Sequence, residues 1–166
     1  MHPGLYWIAV AQIAGYLTAT LLAEMFVGNL VRLMGDLTPP EARDPYSKQF
    51  GWKPALFGCV ERVLYVTAFQ IGRPEWAAYW IGLKILARWK GSNRWTKSDV
   101  RAREMAFEVY LLGTAMSLLW GATGAAVATW LCMGHRGGLQ AIGLTAAMLF
   151  GNAAAIAYLN WWRTRD

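Results

Sequence analysis

The chain has 166 residues, a formal charge of +6, 56% hydrophobic types, 16% charged types and ten Trp. A single domain is all this length supplies, and so few charges could not cover the apolar surface of a soluble globule. Disorder, a coiled coil and a secreted disulfide scaffold are excluded on the same grounds, which leaves an all-α integral membrane protein with one transmembrane helical domain over 1–166.

Apolar runs of about 17–25 residues read as membrane spans. The first runs from Leu5 to about Val31, interrupted by Gln12, Glu24 and Asn29. It is too long for the apolar core of a signal peptide, and no cleavage site follows it. A Pro-rich loop of mixed charge covers 35–53. The second run, Pro54 to Gly72, and the third, Glu75 to Trp89, form a short hairpin about Gly72-Arg73-Pro74. They are read as two full spans, with a partly re-entrant hairpin as the alternative. A basic loop over 90–103 leads to the fourth run, Ala106 to Met133. A tight His135-Arg136-Gly137-Gly138 turn joins it to the fifth, Gly138 to Trp162.

Lys and Arg mark the cytoplasmic side. With five spans, Arg32, Arg43, Lys48, Lys53, Arg88, Lys90, Arg94, Lys97, Arg101, Arg103, Arg163 and Arg165 share one side, and the other keeps Arg73 and Arg136. The expected topology has the N-terminus outside and the C-terminus in the cytoplasm. Eight of the ten Trp fall at an interface, where the indole N–H stays wet; Trp80 and Trp120 sit deep.

Five ionisable residues remain inside apolar runs: Glu24, Glu61, Arg62, Lys84 and Glu108. Each falls within about seven residues of a cytoplasmic end, roughly 6–11 Å deep. Charges at such depth are costly and by default face the bundle and mark function. Lys84 and Arg88, Glu61 and Tyr65, and Glu104 and Glu108 are each spaced i, i+4 and share a helix face. The expected cluster sets Glu24, Glu61 and Glu108 against Arg62 and Lys84, with Tyr65 and Tyr110 donating hydrogen bonds. Such a cluster serves either as interhelical pairs that fix register or as an ion, proton or headgroup site.

Small residues recur every four positions in the last two runs: Gly113, Ser117, Gly121, Ala125 and Thr129, then Gly143, Ala147, Gly151 and Ala155. This spacing lets helix backbones approach closely in lipid. The short connection predicts that these two helices pack on each other, with an intersubunit face as the alternative. Cys59 and Cys132 fall at opposite ends of their spans and cannot pair within one chain. His2 and His135 lack supporting ligands for a metal, and no nucleotide, nucleophile or zinc motif occurs. No cofactor is expected, and an enzyme is the less favoured class. The basic stretch from Arg88 to Arg103 is assigned to anionic lipid rather than nucleic acid.

Three segments together resemble the membrane core of an uncharacterised bacterial family of multi-pass inner-membrane proteins, a domain-of-unknown-function family. They are Glu61-Arg62; Lys84, Arg88 and Trp89; and Glu108, Gly113, Thr114 and Ser117. That core reads Glu-Arg, then Ala-Ala-Lys-x-x-x-Arg-aromatic, then Glu-Tyr-x-Leu-x-Gly-Thr-x-x-Ser. The likeness covers roughly residues 58–118. Here Tyr110 stands two residues after Glu108 instead of one, and Leu83 replaces the Ala before Lys84. The family's His- and Asp-bearing amino-terminal spans are not visible. The resemblance implies a bacterial inner-membrane location and one unit for these residues, and it supplies no activity.

The favoured function is an oligomeric pore or transporter-like protein, with two alternatives. It would use the charge cluster in a homo-oligomer. A membrane scaffold or partner-binding subunit would use the charges for assembly. A lipid-headgroup site would set Arg62, Lys84 and Arg88 against phosphate.

Overall fold

The computed structural model describes residues 4–37, 53–91, 100–133 and 135–164, and within them the chain is helical. The first helix is continuous but changes character midway: α1 (Leu5–Leu17) passes through a π-helical segment (Thr18–Leu22) into α2 (Ala23–Leu37). Then follow α3 (Lys53–Gln70), α4 (Glu75–Gly91), α5 (Val100–Cys132) and α6 (His135–Arg163). Counting α1 to α2 as one rod gives five helices among the described residues, one for each apolar run.

Three helices are long and apolar enough to cross a membrane: Leu5–Leu33, Phe107–Cys132 and Leu139–Trp161. The hairpin helices α3 and α4 are shorter, at 18 and 17 residues, and carry Lys53, Glu61 and Arg62, and Glu75, Lys84, Arg88 and Lys90. Gly72 closes their turn at φ +69°, a left-handed conformation that glycine adopts without a Cβ clash.

The connections are shorter than the apolar runs imply. The expected turn at 135–138 is instead the start of α6, because Gly137 and Gly138 fall in a first turn whose N–H groups have no helical partner in any case. Likewise α4 reaches Gly91, and α5 begins at Val100, where helix-favouring Arg101, Ala102, Arg103, Glu104 and Met105 extend it ahead of the apolar run. Of the loops expected at 35–53 and 90–103, residues 38–52 and 92–99 lie outside the described residues, as does the lipid-facing reading of their charges.

α5 is the centre of the bundle. The α1–α2 rod, α3 and α6 pack around it, and α4 lies chiefly against α3. Ala19, Val66 and Ala125 form one buried cluster between α1–α2, α3 and α5, flanked by Tyr16 and Phe69. Ala23, Val27 and Trp120 form a second, which Met148 and Leu149 of α6 close. Trp120 is fully buried and stacks on Phe26 at 6.3 Å between centroids. At one end, the Trp7 indole donates to the Leu131 carbonyl at 3.1 Å, so the start of α1 and the end of α5 meet there.

α5 and α6 pack on each other, as the short connection suggested, but not stripe to stripe. A Cβ on Gly113 would touch Val31 of α2, and one on Gly121 would strike Tyr65 of α3 at 2.5 Å. Ser117 is buried, and Ala125 belongs to the first cluster. The α5 stripe therefore receives α2 and α3. On α6, Gly143, Ala147 and Gly151 are exposed, Ala155 is half-buried, and nothing lies within 4 Å of a Cβ on either glycine. α6 instead turns Ala141, Met148, Leu149 and Asn152 inward.

Candidate functional site

Glu61 and Arg62 are neighbours on α3, so their side chains leave the helix roughly 100° apart and reach different partners. Arg62 turns toward α2 and pairs with Glu24. Glu61 turns toward α4 and pairs with Lys84. The four charges close as two interhelical ion pairs with no net charge.

The first pair is tightly enclosed on its cationic side. The Arg62 side chain is 1% exposed, whereas Glu24 is 38% exposed. The guanidinium folds back along α3, its Nη2 lying 3.5 Å from the Cys59 thiol. Gly58 and Gly28 lie one turn away on the same helices: a Cβ on Gly58 would stand in ordinary contact with Arg62 Nη1 at 3.4 Å, and one on Gly28 3.3 Å from Glu24 Oε1. A guanidinium buried this far requires its carboxylate, because an unpaired buried charge costs several kcal/mol, of order 3–5.

Three i, i+4 pairs on three helices build the second site. α3 supplies Glu61 and Tyr65, α4 supplies Trp80 and Lys84, and α5 supplies Tyr110 and Thr114. The Trp80 indole donates to Glu61 Oε1 at 3.4 Å. The Lys84 ammonium donates to Thr114 Oγ1 at 3.1 Å and lies 4.9 Å from the Tyr110 ring centroid. The Thr114 hydroxyl in turn donates to the Tyr110 carbonyl at 3.1 Å. Glu61 is 6% exposed and Lys84 19%. The Tyr65 hydroxyl is buried with no hydrogen-bond partner, within electrostatic reach of Glu61 and Tyr110.

Six of the eight expected residues therefore gather at two adjoining pairs: Glu24, Glu61, Arg62, Tyr65, Lys84 and Tyr110. Tyr65 donates no hydrogen bond, against expectation. Glu108 does not join them. It stands two residues before Tyr110, about 200° away around α5, and is exposed. The side chain of Arg88 lies outside the described residues. Trp80 was missing from the expected set, although it is four residues from Lys84, and Thr114 entered only through the family resemblance, not as a member of the charge cluster. Gly28, Gly58 and Cys59 were missing as well, and only their i±4 or i−3 spacing from Glu24 and Arg62 could have signalled them.

Among the described residues no group of His, Cys, Asp and Glu could hold a metal ion. The site offers a committed carboxylate, an ammonium, two phenols and a hydroxyl. Comparison of the chain with protein-family models, curated proteins and solved structures finds no match.

Proposed function

We propose that this chain is a multi-pass protein of the bacterial inner membrane, N-terminus outside and C-terminus cytoplasmic, serving as a membrane scaffold or partner-binding subunit. The observation that supports this reading is that both ion pairs close inside one chain. Closed pairs join α2 to α3 and α3 to α4, and hold helix register without leaving a charge to line a pathway. Basic segments flanking the helices would bind anionic lipid at the cytoplasmic face.

The reading is tested with Glu61→Gln. Loss of thermal stability and of complex formation, with no solute or ion flux in proteoliposomes of either form, is the expected result. Flux through the native chain that Glu61→Gln abolishes while the fold persists would overturn it.

The second reading, an oligomeric pore or transporter-like protein, draws support from the open face of α6 at Gly143, Ala147 and Gly151. A homo-oligomer of defined size in lipid nanodiscs, with the two pairs lining its axis, would favour it.

A further inference from the structure

The two ion pairs differ in a way that register-holding does not explain. Around Arg62 and Glu24 the cation is sealed, and among the described residues its one charged partner is the carboxylate. Around Lys84 there are more recognition groups than one pinning contact needs. Its ammonium meets the Glu61 carboxylate, the Thr114 hydroxyl and the Tyr110 ring face. Carboxylate, hydroxyl and aromatic face are the groups that recognise an ammonium ion, by charge-assisted hydrogen bonds and cation–π attraction. A further hydroxyl, that of Tyr65, is buried nearby with no hydrogen-bond partner.

The helices divide the parts in the same way. Glu61, Tyr65, Tyr110 and Thr114 stand on α3 and α5, which pack closely, with Gly121 drawing α5 onto Tyr65. The ammonium comes from α4, the helix lying chiefly against α3, and its side chain keeps 19% exposure.

The geometry points to a binding site for a ligand bearing a primary ammonium group, formed by Glu61, Thr114 and Tyr110 and filled here by Lys84 as a tethered occupant. A ligand ammonium taking these three contacts releases Lys84, whose long apolar stem lets its charge extend to the polar surface. Tyr65 then offers the incoming group an oxygen that Lys84 leaves unused. The ammonium can belong to a soluble amine or to an ethanolamine lipid headgroup; the recognition chemistry is the same.

The test uses the full chain in phosphatidylcholine nanodiscs and reads the thermal midpoint with ethylammonium chloride, against sodium chloride at equal ionic strength. Lys84→Ala empties the site and lowers the midpoint. Ethylammonium should then raise it by about 3–5 °C, saturably, as expected for a ligand of the folded state. The increment should vanish in Lys84→Ala with Glu61→Gln. If Lys84→Ala does not fold, Lys84→Met keeps a stem of similar length with no donor to Glu61, and a rise in the same direction is expected. Nanodiscs containing phosphatidylethanolamine form the second arm. A rise there that added ethylammonium does not extend assigns the ligand to the lipid; no effect of that lipid, with the ethylammonium increment undiminished in its presence, assigns it to a soluble amine. Equal responses to ethylammonium and sodium with no effect of the ethanolamine lipid, or an increment that survives Glu61→Gln, overturn the proposal.

Discussion

Gly15 and Gly124 face each other backbone to backbone: a Cβ on either would stand 2.5 Å from the carbonyl oxygen of the other. This is where the first helix crosses α5, and Ala19, Ala128 and Val66 crowd the same point. Neither carbonyl can move aside as a flexible side chain would. Gly15→Ala and Gly124→Ala should each destabilise the fold by about 1–3 kcal/mol, the range for overpacking a close contact. Unfolding in mixed micelles checks this, and wild-type stability in both variants would refute the crossing.

The open α6 glycines behave oppositely. Nothing lies within 4 Å of a Cβ on Gly143 or Gly151. Gly151→Ile should therefore leave the stability of a single chain near that of the wild type. If the face packs on a second copy, the same substitution lowers the particle mass to that of a monomer in light scattering, a result the scaffold reading does not require.

The buried guanidinium makes a sharper prediction. Glu24→Leu strands Arg62 at 1% exposure and should cost about 3 kcal/mol, somewhat less if solvent reaches the pair through the Glu24 side. Glu24→Leu combined with Arg62→Leu should cost clearly less than Glu24→Leu alone, because no charge is left unpaired. A double-mutant cycle read by unfolding measures the difference; strict additivity would show that the pair is not coupled.

Sidedness can be read at two exposed positions. In a chain with Cys59 and Cys132 replaced by Ser, Arg73→Cys in the α3–α4 turn should react with an impermeant maleimide from outside the cell. Thr164→Cys should react only after the membrane is opened. Protection of Arg73→Cys from both sides would mean a re-entrant hairpin.

The five apolar runs appear as five helices, because hydrophobic length is a property of a segment and survives any packing. The charges inside the apolar runs were legible as exceptions for the same reason. Their pairing was not: which cation Glu61 takes depends on how α3 is rotated, and one residue along a helix redirects a side chain by about 100°. α5 and α6 do pack on each other, but the faces by which they meet were not legible, on account of that same freedom. A short connection makes two helices neighbours, but the rotation of each about its own axis is set by every partner it has. α5 has several, and its small face went to α2 and α3.

That freedom gives the π-helical segment at Thr18–Leu22 a wider meaning. The buried positions Ala11, Gly15, Ala19, Ala23 and Val27 are spaced by four, a stride that winds off one face of a regular α-helix. A turn with one extra residue takes up the drift, so Gly15 can touch α5 while Glu24 still aims at Arg62. The segment acts as a phase corrector. Deleting one residue there to restore a regular helix would swing Glu24 roughly 100° off its partner, so the ion pair is aimed from a site that bears no charge.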